Sequence, residues 1–120
     1  MSTRAEVVTV LDGLQVVLDD SSTVSLTASE STPDSLQPFS AWTVWVSTTW
    51  RTRCVDESTW QVLVTLSGGA PDAWVVGDQL LGPIRDALSK VGGVQRAEPV
   101  VIPSGDGGAA VPALAFTLNA

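Results

Sequence analysis

Two apolar segments with alternating side chains dominate the middle of the chain, at residues 42–50 (WTVWVSTTW) and 60–66 (WQVLVTL). Both are rich in β-branched and aromatic residues, which are typical of strands, and neither contains Gly or Pro. A short charged connector joins them. This pattern predicts a long antiparallel hairpin on which the rest of the chain packs.

A period of two residues divides each strand of this hairpin into two faces. On the first strand, Trp45 falls on the face opposite Trp42 and Trp50. We expect the face with Trp42 and Trp50 to point into the core, whereas Trp45 can join that core only if the sheet is covered on both sides. The apolar faces comprise Trp42, Val44, Val46 and Trp50 on the first strand and Trp60, Val62, Val64 and Leu66 on the second.

The start of the chain predicts a helix. A capping box begins at Thr3, and apolar residues then recur at helical spacing. We expect a helix over residues 3–18, although Gly13 inside it costs roughly 1 kcal/mol relative to Ala. The alternative is a strand over residues 14–18 that pairs with residues 24–27.

Two further segments precede the hairpin. Residues 23–29 predict a strand. Residues 29–40 (SESTPDSLQPFS) are polar and punctuated by proline. They predict a loop that is exposed to solvent or to a neighbouring molecule.

A second helix is predicted after the hairpin. Pro71 and Asp72 are favoured in a first helical turn, and an apolar stripe follows them. Pro83 inside this stripe removes a backbone hydrogen bond, which predicts a kink or two abutting helices. The pair Gly92-Gly93 predicts a left-handed stop to the helix.

The end of the chain predicts two strands, at residues 94–103 and 111–119, joined by a glycine-rich loop at residues 104–108. Proline is a poor residue for a central strand, so we expect this pair to lie at an edge of the sheet or to fray at its ends. The prolines are Pro99, Pro103 and Pro112. The last strand has a bulky face of Leu114, Phe116 and Leu118 and a small face of Ala113, Ala115 and Thr117.

Strands grouped in runs with two helices predict an α+β fold. Its expected architecture is a mainly antiparallel sheet with a long central hairpin and two helices packed on it. A chain of 120 residues, 44% of them hydrophobic, predicts a single domain over residues 1–120. The expected core residues on the helices are Val7, Leu11, Leu14, Leu80, Ile84 and Leu88.

The chain is acidic, with 13 acidic and 6 basic residues and a formal charge of −7. Specific binding of nucleic acid requires clustered Lys and Arg, and no such cluster occurs in the sequence. A membrane span of about 18 apolar residues and the apolar region of a signal peptide are both missing from it. The sequence therefore predicts neither a nucleic-acid-binding nor a membrane protein.

Few groups in the chain can carry catalysis. It has no His and no Tyr, and its single cysteine, Cys54, has no imidazole base. The pairs Asp19-Asp20 and Asp56-Glu57 are interpreted as solvated surface, and residues 105–108 lack the Lys of a phosphate-binding loop. We therefore expect no enzymatic activity, no cofactor and no metal.

Five tryptophans are many for a chain of this length. Most are expected in the core, but an aromatic residue on the outer face of a strand indicates a subunit interface, where aromatic anchors concentrate. A platform for stacking carbohydrate is the alternative. We predict that Trp45, the loop residues Pro38 and Phe39, and Arg51 and Arg53 of the hairpin connector contact a partner.

Residues 33–45 (PDSLQPFSAWTVW), followed by a β-run, the helix start at residues 68–72 (GGAPD) and a closing strand pair, carry a resemblance. The chain resembles small tail proteins of long-tailed phages that infect actinobacteria. It looks most like a tail terminator, the family that caps the tail tube as a ring. The likeness covers most of the chain in the order and type of its elements.

The resemblance implies an α+β subunit of a six-membered ring that contacts the tail tube protein below and the connector or stopper above. A central channel would pass DNA without specific binding. The implied location is the tail or neck of the virion, after assembly in the host cytoplasm. The alternatives are another neck component, such as a stopper or head-completion protein, and a monomeric ligand- or glycan-binding module.

Overall fold

The computed structural model describes residues 3–33, 37–50, 56–67, 72–103 and 110–120. Its helices and strands are α1 (Thr3–Leu11), β1 (Gln15–Val17), β2 (Thr23–Ser25), β3 (Thr27–Ser29), β4 (Ser40–Trp50), β5 (Asp56–Thr65), α2 (Asp72–Leu88), β6 (Gly93–Ile102) and β7 (Val111–Asn119). Both helices pack on one face of a five-stranded sheet of order β3-β4-β5-β7-β6, while β1 and β2 form a separate ribbon. The α+β prediction is confirmed.

β4 and β5 form the predicted hairpin. They pair antiparallel from Ala41 opposite Val64 to Trp50 opposite Asp56. β7 pairs with the other edge of β5, so the base of the hairpin lies inside the sheet. β3 adds to β4 in parallel at residues 40–42, which makes the sheet mixed but mainly antiparallel.

A β-bulge at Val46 changes which side chains of β4 share a face. Trp45 pairs with Trp60, but Ser47 pairs with Thr59, so Val46 is an extra residue without its own partner. A bulge of this kind shifts the alternation of the strand by one residue. Beyond Val46, every face assignment is therefore reversed relative to strict alternation.

The predicted faces of the first hairpin strand are wrong in two ways: the bulge separates Trp50 from the side of Trp42, and the helices cover the side of Trp45 instead of that of Trp42. Trp50 pairs with Asp56, which is four residues from the partner of Trp45, so Trp45 and Trp50 share the helix-bearing side of the sheet. Trp50 is 71% exposed there because it lies beyond the helices. Trp42, which pairs with Leu63, lies on the opposite side and is 2% exposed. The second strand follows the prediction, with Val62, Val64 and Leu66 buried in the core.

The first helix is shorter than predicted. α1 ends at Leu11, and Gly13 adopts a φ of 79°, a left-handed conformation that glycine reaches without steric cost. β1 follows and pairs antiparallel with β2. The alternative strand is therefore correct, and a helix to residue 18 is wrong because the helix ends before Gly13.

The predicted strand over residues 23–29 is divided in two. β2 pairs with β1, whereas β3 joins β4 in the large sheet. Leu26 between them is buried, and its N–H donates to the carbonyl of Leu14 at 2.9 Å. This break lets the chain leave the small ribbon and enter the main sheet.

α2 is one helix that contains Pro83, so two abutting helices are not formed. The predicted left-handed stop is also wrong, because neither Gly92 nor Gly93 has a positive φ. The helix ends in a turn in which the N–H of Gly92 donates to the carbonyl of Leu88 at 3.2 Å. Position 92 requires glycine for a steric reason, since a Cβ there would overlap the backbone oxygen of Asn119.

The closing strand pair is confirmed, with β6 and β7 antiparallel from Gly93 opposite Asn119 to Ile102 opposite Val111. β6 is an edge strand, which suits its Pro99, but β7 lies between β5 and β6. The expected edge position is therefore correct for β6 alone. The predicted loop at residues 104–108 lies outside the described residues.

The core lies between the helices and the helix-bearing face of the sheet. Five of the six predicted helical core residues are buried, and Leu14 is partly buried against them. The sheet contributes the bulky face of β7 and the inner face of β5. These residues are Val7, Leu11, Leu80, Ile84 and Leu88 on the helices and Val62, Val64, Leu114, Phe116 and Leu118 on the sheet.

Candidate subunit interface

The hairpin extends beyond its neighbours in the sheet. β3 pairs with β4 only up to Trp42, and β7 pairs with β5 from Thr59 onwards, with two backbone hydrogen bonds between Ala120 and Ser58. Beyond these points, within the described residues, β4 and β5 pair only with each other. We call residues 45–50 and 56–58 the distal ribbon. An isolated two-stranded ribbon is marginally stable in water, so this part of the chain is suited to a contact with another molecule.

Two tryptophans make one face of the distal ribbon apolar. Trp45 is 54% exposed at its base, and Trp50 is more exposed near its end. Trp45 Nε1 donates to the Thr48 hydroxyl at 2.9 Å, and that hydroxyl lies 2.9 Å from the Ser58 hydroxyl. These bonds hold the Trp45 indole along the ribbon. We call Trp45 and Trp50 the aromatic face.

The base of the ribbon contains two buried polar atoms without partners. Trp60, opposite Trp45, is partly buried, and the guanidinium carbon of Arg4 lies 5.7 Å from the centre of its ring. Trp60 Nε1 and the Thr43 hydroxyl have no hydrogen-bond partner among the described residues. A cation–π contact, rather than a hydrogen bond, therefore links α1 to this part of the sheet.

A groove runs between α2 and the edge strand β6. Its wider part has a volume of about 530 Å³ and its narrower part about 380 Å³. Leu81 and Ala97 line both parts, so the two are continuous. Other apolar lining residues of the wider part are Trp74, Pro99, Val101 and Leu114. We call this feature the α2–β6 groove.

Charged side chains border the groove. Asp78 and Arg85 of α2 lie at the wider and the narrower part, whereas Glu98 and Arg96 pair with Ala115 and Thr117 and so have their side chains on the face of the sheet opposite the helices. The Arg96 guanidinium lies 3.0 Å from Glu98 Oε1, and that of Arg85 lies 3.5 Å from Asp86 Oδ1. Ion pairs as exposed as these add little to stability, so both guanidinium groups can also contact a partner.

The face of the sheet opposite the helices is apolar near its centre. Trp42 pairs with Leu63, which in turn pairs with Ala115 of β7. Trp42, Ala113 and Ala115 are buried on this face. Trp42 is thus a structural residue of the sheet and does not belong to the aromatic face.

The predicted partner contacts have different surroundings. Trp45 is exposed on the distal ribbon, and Pro38 is exposed in the turn before β4. Phe39 packs partly buried against the core with a φ of 59°, and its N–H donates to the carbonyl of Thr65 at 2.9 Å. Phe39 therefore anchors the start of β4. Arg51 and Arg53 lie outside the described residues, so their role stays a prediction.

Of the two acidic pairs, Asp19-Asp20 has surroundings typical of protein surface, whereas Glu57 of the second pair is partly buried and the side chain of Asp56 lies outside the described part of the chain. Asp19 and Asp20 are exposed in the turn between β1 and β2. Hydrogen bonds from the hydroxyl and the N–H of Ser22 lower the pKa of Asp20, whereas a general acid at neutral pH needs a raised pKa. Glu57 accepts a hydrogen bond from Asn119 Nδ2 at 3.0 Å. Across the described part of the chain, no group of three or more Cys, Asp and Glu side chains could hold a metal ion.

Sequence reasoning missed the groove and the place of Trp50 in the aromatic face. The position of Trp50 depends on the bulge, which no residue in the surrounding Ser/Thr run marks. The groove had a usable signal, because its residues on α2 recur at helical spacing beside the buried stripe. These residues are Trp74, Asp78, Leu81 and Arg85.

Comparison of the chain with protein-family models, curated protein sequences and solved structures gave no match. Among the residues described, no helix is both long enough and apolar enough to cross a membrane.

Proposed function

We propose that the protein is a structural subunit of a phage virion: a tail terminator that forms a ring on the tail tube, ends tail polymerisation and joins the tail to the head connector. The observation that carries the proposal is the combination, in one subunit, of a projecting ribbon with an exposed aromatic face and an apolar groove at the edge strand β6. Two different surfaces that fit each other would give head-to-tail contacts, which form a ring where the rotation between subunits closes and an open filament where it does not.

Three properties of the sequence support this proposal. The segment at residues 33–45 and the order of elements resemble tail terminators. The chain has no His and no Tyr, so its role is one of shape rather than chemistry. Six copies at −7 each carry roughly −42, and this charge disfavours adhesion to DNA phosphates in a central channel. The arginines of the hairpin connector, Arg51 and Arg53, would then pair with carboxylates of a neighbouring subunit or of the tube.

The mass of the purified protein, alone and with its tail tube, is the first test. A ring gives a mass close to six subunits and a cap on the tube in negative-stain images. A monomer under both conditions contradicts the proposal and favours a ligand- or glycan-binding module.

Deletion of the gene from the phage is the second test. Loss of a terminator gives filled heads, and tails of excessive length that do not join them. Tails of normal length that fail to join heads would instead indicate a stopper or head-completion protein. Joined particles with normal tails would contradict a role in the neck altogether.

A further inference from the structure

We propose that the aromatic face of one copy lies in the α2–β6 groove of the neighbouring copy, with Trp50 in the wider part of the groove. This inference rests on the proposed ring and specifies the contact that closes it. The occupant of the groove is therefore a second copy of the same chain.

The aromatic face is the first reason. Single exposed hydrophobic residues are common on protein surfaces, but here Trp45 and Trp50 share one side of a ribbon, and Val46 between them is 55% exposed. The hydroxyl groups of Thr48 and Ser58 lie between the two rings on the same side, so the aromatic face combines apolar rings with polar groups, as tryptophan does in protein interfaces. The ribbon projects beyond the neighbouring strands of its own sheet, so the aromatic face is accessible to another molecule.

The groove is the second reason. It is concave and mainly apolar, and Ala97 lines it where a larger residue of β6 would fill it. Its wider part, about 530 Å³, has room for an indole ring. Trp74 and Leu81 of α2 and Pro99 of β6 supply the apolar surface that an aromatic side chain packs against.

The positions of the two surfaces are the third reason. The distal ribbon extends from one end of β4 and of β5, the central strand of the sheet, and the groove lies at the edge strand β6. Both lie on the helix-bearing side of the sheet, because Trp45 and the groove residue Leu114 share that side with Val62 and Val64. A neighbouring copy can therefore meet the ribbon by rotation about a ring axis, without being turned over.

One charged side chain of the groove adds to its apolar surface. Arg85 of α2 lies at the narrower part and its side chain is 68% exposed. A guanidinium group packs favourably on the face of an indole, and Trp and Arg are enriched among the residues that dominate binding energy. The contact of Arg4 with Trp60 shows the same pairing inside the subunit.

The size of the contact sets its expected strength. A tryptophan buries about 150–250 Å² in an interface, so the aromatic face supplies roughly 300–500 Å². A stable specific interface buries about 1,200–2,000 Å² in total. The ribbon therefore contributes the aromatic anchors of a larger interface, and its loss should weaken assembly by about tenfold or more.

Two pairs of variants test the contact in the full chain, with sedimentation velocity as the measurement and the melting temperature as a check of folding. Trp45→Ala/Trp50→Ala removes the aromatic face, and Thr49→Ala on the other side of the same ribbon is its control. Ala97→Arg fills the groove, and Val75→Arg at an exposed position of α2 outside the groove is its control. We expect the first member of each pair to assemble about tenfold more weakly than the parent, and we expect both controls to assemble as well as the parent.

Mixing the two defective variants gives a sharper test. In the mixture, the groove of the Trp-deficient variant is intact and so is the ribbon of the Ala97→Arg variant. One intact contact forms per pair, so the mixture should give dimers and no rings. If the double variant melts at a lower temperature, Trp50→Ala alone replaces it, since Trp50 is the more exposed residue.

The outcomes separate this inference from the proposed function. Defective variants that form rings as well as the parent, or a mixture without dimers, would overturn the ribbon–groove contact and leave the ring in place. A parent that stays monomeric with and without the tail tube would overturn both.

Discussion

Thr43 and Thr65 are both buried in the sheet, but their hydroxyl groups have opposite surroundings. Thr65 Oγ1 accepts a hydrogen bond from the N–H of Ser40 at 2.9 Å and donates to the carbonyl of Gln37 at 2.6 Å. It therefore ties the segment before β4 to β5. The Thr43 hydroxyl has no partner among the described residues. Leaving such a group unpaired costs about 1–3 kcal/mol.

Replacing each threonine by valine, which has nearly the same shape, should have opposite effects. Thr65→Val should lower the free energy of unfolding by about 1–3 kcal/mol, because it removes the hydrogen bonds to the Ser40 N–H and the Gln37 carbonyl. Thr43→Val should be neutral or stabilising by up to about 1 kcal/mol, because it removes a desolvated hydroxyl. Urea unfolding of the two variants measures both. A Thr43→Val protein as destabilised as Thr65→Val would mean that the Thr43 hydroxyl is in fact satisfied.

At the scale of single elements, the type and order of the main strands and helices could be predicted from the sequence. The alternation over residues 60–66 gave the correct inner face of β5, and the stripe on α2 gave Leu80, Ile84 and Leu88 as core residues. These patterns are reliable because burial of one face selects them directly.

The errors occur where a single backbone feature changes the alternation or direction of the chain. Gly13 was recognised as costly in a helix, but its positive φ depends on the pairing of β1 with β2. The bulge at Val46 moved Trp50 to the side of Trp45, and this decided the composition of the candidate interface. The bulge has no local sequence signature, because the pairing that fixes it is distant in the chain. Gly13 is a local signal for a left-handed helix end, but the apolar spacing that continues to Leu18 favoured a longer helix.

The close approach of Gly92, just after α2, to Asn119 at the end of β7 gives a prediction about a single backbone position. A Cβ at Gly92 would overlap the backbone oxygen of Asn119, whereas a Cβ at Gly93 would meet only the flexible end of Gln95 at 3.8 Å. Gly92→Ala should therefore lower the free energy of unfolding by about 1–3 kcal/mol, as overpacking against backbone does. Gly93→Ala, its matched control, should change it by less than about 1 kcal/mol. Equal melting temperatures for the two variants would contradict the close approach of helix end and strand.

At the scale of the whole molecule, apolar contacts and charge have separate roles. In the proposed ring, the apolar surfaces of the ribbon and the groove would specify how one copy meets the next, while the net charge of −7 acts at longer range. The four described cations are dispersed, since Arg4 lies over Trp60 and Arg85 and Arg96 lie beside carboxylates. The fourth is Lys90. No pair of them forms a basic patch that would neutralise several phosphates.

The protein should therefore not retain duplex DNA, and its acidic surface should be the reason. We expect no electrophoretic mobility shift of a short duplex in 50 mM salt, even at a protein concentration of about 100 µM, where non-specific binders with a Kd of 10⁻⁴–10⁻⁶ M are detected.

Asp78→Lys/Asp86→Lys is the informative comparison, because both carboxylates are exposed on α2 near Arg85 and Lys90. Each exchange adds two positive charges, so the formal charge rises from −7 to about −3 and the exposed side of α2 becomes basic. This variant should bind the duplex weakly, and binding should disappear as salt is raised to 200 mM, since it depends on the release of counterions. Tight binding by the parent with a steep salt dependence would contradict a channel that lets DNA pass, because such a surface would hold the phosphates instead of repelling them.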